Sequence, residues 1–185
     1  MIKALVFDMD GLLLDSERIV KRSWNEAGNE LGIPGIGEHI YHTLGLNRKA
    51  RNEYFKNAYG TDFPLEDFNQ RTSDIFFRII GNTGIPLKAG AKELLEYAKG
   101  QGYKIAIATS TSQAYAINEM TDAGIWQYFD GGIFGDMVKN TKPDPEIYLK
   151  ACESIKMAPN DCLALEDAPA GIHSAHAAGL KVIVV

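Results

Sequence analysis

The chain is poor in cysteine. Cys152 and Cys162 are its only two, and neither belongs to a Cys-x-x-Cys or Cys/His array. That argues against a thiolate metal centre or a disulfide framework. Both read as reduced, partly buried thiols of a cytoplasmic protein. The sequence also lacks a long apolar run, and no Ala-x-Ala cleavage signal follows Met1-Ile2-Lys3, so neither a membrane span nor a signal peptide is expected. Positive charge is not in excess: 19 Lys and Arg stand against 24 Asp and Glu, a formal net charge of -5. With no broad basic surface to release counter-ions, a nucleic-acid partner is not expected. A small anionic substrate stays compatible, because one lysine and one metal ion reverse the field locally. Repeats and low-complexity tracts are missing as well.

What is present suits one main globular domain with a smaller one inserted: 185 residues, 45% apolar and 23% charged. Ile2 to Phe7 is a short apolar run followed by acids and Gly11, which predicts a buried strand. Lys104 to Ala108, Cys162 to Leu165 and Lys181 to Val185 read the same way, and Ile133-Phe134 reads as a shorter strand. Helical patterns lie between them. One carries Leu94, Leu95 and Ala98, and another carries Ile117 and Met120 and closes at Gly124. A third, with Ile147, Tyr148, Ala151, Cys152 and Ile155, starts at a capping Asp144 and Pro145. A fourth spans about Pro169 to Ala178. Alternating strands and helices predict an α/β fold, a parallel sheet with helices on both faces.

Residues 16–86 break that rhythm. Ile19, Val20, Trp24, Ala27 and Leu31 recur at helical spacing, as do Leu46, Ala50, Tyr54 and Ala58, then Leu65, Phe68, Ile75 and Ile79. The expected division is therefore a core of residues 1–15 and 87–185 with a helical unit, 16–86, inserted after the first strand.

In an open parallel sheet, ligands bind beyond the carboxyl ends of the strands. The first strand ends in Asp8-Met9-Asp10, and the strand from Cys162 ends in Glu166-Asp167. Carboxylates gathered after buried strands repel one another unless they share a cation. An all-oxygen donor set with few protein ligands is what Mg²⁺ prefers. The strand from Lys104 ends in Thr109-Ser110-Thr111-Ser112, hydroxyls and amides that either cap a helix or hold an anion. Lys142 stands in a loop before Pro143 and Asp144. Acids, hydroxyls and one fixed lysine are the parts that phosphoryl transfer uses.

The stretch FDMDGLLLDSE resembles the first motif of the haloacid dehalogenase superfamily. AIATSTS is similar to its second motif, KPDPEIY to its third and LALEDAPAGI to its fourth, in the right order along the whole chain. The resemblance implies a Rossmann-like three-layer parallel sheet core with an inserted α-helical cap. It implies that Asp8 is the nucleophile, forming an aspartyl-phosphate, and that Asp10 is the general acid/base. Thr109 and the backbone N–H of Ser110 would bind the phosphoryl group, and Lys142 would neutralise it. Mg²⁺ would be held by Asp8, Asp167 and the backbone carbonyl of Asp10, with Glu166 as an additional or water-mediated ligand.

The second acid, Asp10, separates the chain from the halide-releasing members, which have no leaving oxygen to protonate. The expected function is a Mg²⁺-dependent phosphatase of a small phosphorylated metabolite, a sugar phosphate or a nucleotide-related monophosphate. The nearer alternative is a mutase of the β-phosphoglucomutase kind. That enzyme carries a histidine in its first cap helix, and here the matching position is Val20. Gly45-Leu46-Asn47-Arg48 resembles the mutase's cap loop, so Arg48 is a candidate cap contact for a second phosphate or an ordinary surface arginine. A non-catalytic phospho-accepting receiver is the remote alternative, since such modules carry the acceptor after a middle strand and have no cap. A monomer is favoured. The final apolar strand is expected to expose an edge able to pair with another chain.

Overall fold

The computed structural model of the protein describes all residues except Gly45, Asn47 and Asn82. Five strands form one parallel sheet: β1 (Ala4–Phe7), β2 (Lys104–Ala108), β3 (Gly131–Ile133), β4 (Cys162–Glu166) and β5 (Lys181–Val184). Their spatial order is β3-β2-β1-β4-β5. The chain therefore steps outward from β1 in one direction, then returns to its other side. Such a reversal opens a crevice at the carboxyl ends of the two strands that flank it. The shorter strand lies at Gly131–Ile133, slightly earlier than the expected Ile133-Phe134, because Gly132 passes directly against Ile107 of β2 in the pairing.

Side-chain alternation divides the sheet's two faces. Leu5, Phe7, Ile105, Ile107 and Leu165 point to one side, against Leu95 of α4 (Ala91–Gly100) and Met120 of α5 (Gln113–Asp122). Ala4, Val6, Ala106, Ala108 and Ala164 point to the other. There they meet Ile147, Tyr148 and Ala151 of α6 (Glu146–Ser154) and Ala175 of α7 (Pro169–Ala177). The small residues on this second face let α6 approach closely. All four residues of β1 are buried, which is why its sequence is a continuous apolar run.

The segment between β1 and α4 is helical: α1 (Ser16–Glu30), a 3-10 turn (Ile36–His42), α2 (Arg48–Tyr59) and α3 (Leu65–Ile80). It has a core of its own around Trp24, Ile36, Phe55 and Phe68. Trp24 meets the Phe55 ring edge-on at 5.0 Å, the arrangement that aromatic quadrupoles favour. No strand occurs in this segment among the described residues. At the other end of the sheet, β5 is an edge strand, and Ile183, Val184 and Val185 are exposed. None of the described helices is long and apolar enough to cross a membrane.

Candidate active site

The register of the sheet assembles the acids. Phe7 is aligned with Leu165 of β4, and the Asp8 N–H continues that ladder onto the Leu165 carbonyl at 3.1 Å. Asp8 and Glu166 thus emerge side by side. Lys142, carried on the loop before α6 and joined to Pro143 by a cis peptide bond, reaches between them. Its Nζ lies 2.6 Å from Asp8 Oδ1 and 2.6 Å from Glu166 Oε1. Lys142 is 4% exposed and Glu166 is completely buried, so these are desolvated ions that persist only because they are paired. Burial works against the lysine's charge, but Asp8 and Glu166 outweigh it and raise its pKa.

The acids are under-compensated. Oxygens of Asp8, Glu166 and Asp167 lie within 4.8 Å of one another, and Asp167 Oδ1 is buried without a hydrogen-bond partner. Burial raises the Asp8 pKa well above the usual carboxylate range. Lys142 opposes that rise, while Glu166 and Asp167 add to it. Asp167 is pushed up to about 7 by burial, then by the charges of Glu17 and Glu166. Three carboxylates against one ammonium leave two negative charges, which a divalent cation would neutralise. The donor set is all oxygen and includes an orphaned buried oxygen. The residues therefore fit Mg²⁺.

Beside this cluster, residues 9–14 form a tight loop, with the Gly11 N–H donating to the Leu14 carbonyl at 2.9 Å. Gly11 has φ of 82°, and a Cβ there would collide with Asp167 Oδ2 and Glu17. The loop thus turns the Asp10 carboxylate toward the end of β2, where Thr111 Oγ1 donates to its Oδ2 at 2.8 Å. Thr109 is buried, and its Oγ1 accepts the Thr111 N–H at 3.1 Å. Ser110 lines the same cavity. The cap of α5 comes from elsewhere, since the Gln113 N–H donates to Asp136 Oδ1 at 2.9 Å. The Thr/Ser run is therefore not consumed in capping this helix.

The cavity measures about 820 Å³, ample for a small metabolite. Asp8, Asp10 and Lys142 form its floor, and Val20, Trp24 and Arg48 contribute from the helical segment. Of the loop expected to carry a cap contact, Gly45 and Asn47 lie outside the described residues, while Arg48 reaches the cavity. Its neighbour Arg51 sits over the Trp24 ring at 5.7 Å. All the predicted core residues converge on this one space: Asp8, Asp10, Thr109, Ser110, Lys142 and Glu166 line it, and Asp167 belongs to the acidic cluster.

Three residues of the site were not singled out in the sequence. Thr111 is one of four consecutive hydroxyl residues, and nothing in the sequence sets it apart. Glu17 follows Ser16 at a helix start, the position of an ordinary first-turn acid, yet it lines the cavity and its charge helps to raise the Asp167 pKa. Tyr148 sat on the apolar stripe of α6 and read as core, but its hydroxyl donates to Glu166 Oε1 at 2.5 Å. No periodicity argument separates such a tyrosine from packing.

The family model described as haloacid dehalogenase-like hydrolase matches residues 5–185. The phosphorylated carbohydrates phosphatase of Thermotoga maritima is 31% identical over 182 residues, covering 98% of this chain and 84% of the relative. Protein CbbY of Rhodobacter capsulatus is 34% identical over 197 residues, 99% of this chain and 85% of the relative. The solved structure of CbbY from Rhodobacter sphaeroides with phosphate superposes with a TM-score of 0.77 at 30% identity, covering 100% and 86% of the two chains. A β-phosphoglucomutase from Clostridium difficile shares the fold, with a TM-score of 0.81 at 24% identity over 100% and 84%. The chain belongs to the haloacid dehalogenase-like hydrolases.

Proposed function

We propose that the chain is a Mg²⁺-dependent phosphatase of small phosphorylated carbohydrates, acting through a phosphoaspartate at Asp8, with residues 16–86 as a cap over the site. One observation carries this reading: a buried Asp8–Lys142 pair at 2.6 Å, opening into a cavity that Asp10 also lines. The carbohydrate part draws on the name of the Thermotoga maritima relative.

In this reading an Asp8 carboxylate oxygen attacks phosphorus, and the ester P–O bond breaks. The leaving oxygen takes the proton of Asp10. A water molecule then attacks phosphorus, gives its proton to Asp10, and displaces Asp8 as the free carboxylate. Lys142 offsets the charge that gathers on the transferring group. Thr109 Oγ1 already accepts the Thr111 N–H, so its hydroxyl proton is free to donate to a phosphoryl oxygen. Asp8, Asp167 and the Asp10 carbonyl are the residues that would hold Mg²⁺. Bound there, the ion supplies the positive charge that keeps Asp8 ionised.

The test is turnover. The protein should hydrolyse an aryl phosphate many times per chain with Mg²⁺ and stop with EDTA, and Asp8→Asn should abolish this. A single phosphorylation per chain would point to a receiver. Val20 offers no titratable group at the position of the mutase's histidine, so β-glucose 1-phosphate should yield inorganic phosphate; glucose 6-phosphate would reverse that ranking.

A further inference from the structure

Proximity alone makes Glu166 a metal ligand as good as Asp8 or Asp167. Its hydrogen bonds say otherwise. Glu166 Oε1 accepts from Lys142 Nζ at 2.6 Å and from the Tyr148 hydroxyl at 2.5 Å, which occupies both lone-pair directions of that oxygen. Oε2 faces the Ala168 N–H at 3.4 Å, at the start of α7, where the helix dipole favours a negative charge. The carboxylate lies flat over Gly171 of α7, where a Cβ would strike it. The Tyr148, Ala168 and Gly171 contacts hold Glu166 against α6 and α7, and the Lys142 contact commits Oε1 to the lysine.

Tyr148 makes two of the contacts that fix this arrangement. It is completely buried, its hydroxyl holds Glu166, and its ring centre lies 5.2 Å from Lys142 Nζ. Phenylalanine would pack against the sheet equally well, so packing does not account for the hydroxyl. A cation over an aromatic face gains further stabilisation when both are desolvated.

We propose that Tyr148 is a positioning residue. It holds Glu166 against Lys142, so that Glu166 serves as the lysine's counter-ion and stays outside the coordination shell of the cation, which Asp8 and Asp167 serve. The idea rests on the phosphatase reading above. It differs from simple ligation because both motif acids are then used for different tasks: Asp167 for the metal, and Glu166 for aiming the lysine.

Two measurements on the full chain test it. In crystals grown with Mg²⁺ alone, Glu166 should keep its contacts to Lys142 and Tyr148. An oxygen of Glu166 at roughly 2.0–2.1 Å from the ion, the Mg²⁺ coordination distance, would overturn the proposal. In Tyr148→Phe, kcat for an aryl phosphate should fall about 10- to 100-fold, the usual effect of losing an outer-shell partner, with KM within about twofold. An unchanged kcat, or a loss carried by KM, would also overturn it. Failure of the phosphatase reading looks different: the wild-type protein itself would not turn over.

Discussion

Thr111 Oγ1 donates to Asp10 Oδ2 at 2.8 Å across 101 residues of sequence, tying the loop after β1 to the loop after β2. The bond fixes the direction in which Asp10 faces the cavity. Thr111→Val keeps the shape of the side chain and removes the donor. Its kcat should fall, but by less than in Asp10→Asn, where the full acid/base contribution of about 100- to 10,000-fold is lost. Parallel kcat measurements on the two variants check the order, and equal losses would remove Thr111 from an orienting role.

Lys142 is the only positive charge that meets Asp8 and Glu166 among the described residues. Lys142→Met leaves two buried carboxylates facing each other without it. Breaking a buried pair in this way typically costs 3–5 kcal/mol, on the order of half the stability of a small protein. Denaturant unfolding of the metal-free variant should show a loss of that size, together with loss of turnover.

The metal-free protein should lose stability as pH rises. Asp167 has a folded pKa of about 7, above its unfolded value near 3.8. The raised value favours folding while the group is protonated, below the unfolded pKa. That contribution disappears as pH climbs through the window from about 4 to 7. Asp8 is displaced in the same direction. Thermal melting in EDTA should therefore show Tm declining across this window from these groups, and the gain in Tm on adding Mg²⁺ should grow with pH. A Mg²⁺ increment independent of pH would contradict the charge imbalance.

Gly11→Ala places a Cβ at φ 82° against Asp167 and Glu17. The strain alone should destabilise the chain by roughly 1 kcal/mol or more. Because the displaced atom is Asp167 Oδ2, calorimetric titration should also show weaker Mg²⁺ binding than in the wild type.

Much of this site was legible in the sequence because parallel strands buried on both faces announce themselves as apolar runs, and the residues after them become the site by topology. Asp8, Thr109 and Glu166 followed from that rule. In the helical segment, Trp24 and Phe68 lie on the expected stripes and pack in its core, whereas α2 buries Phe55 rather than Tyr54 or Ala58, since Phe55 is the residue that meets both Trp24 and Phe68. What sequence could not reveal were partnerships made in three dimensions. Tyr148 looks like any core aromatic until β4 brings Glu166 beneath its hydroxyl. Asp136, which caps α5, lies 23 residues beyond the amide it accepts. At the start of α6 the N-cap is Pro145 and not the expected Asp144, so the helix begins one residue later than its capping signal predicts, while Asp144 Oδ1 still accepts the Glu146 N–H at 2.9 Å.

The covalent step at Asp8 is tested most directly by chemical trapping. A sample turning over an aryl phosphate with Mg²⁺ is quenched in acid, treated with borohydride and digested for peptide mass spectrometry. An acyl phosphate is reduced by this treatment, so the account predicts homoserine at position 8 and nowhere else. Steady turnover with aspartate intact at position 8, or reduction at a different carboxylate, would contradict it.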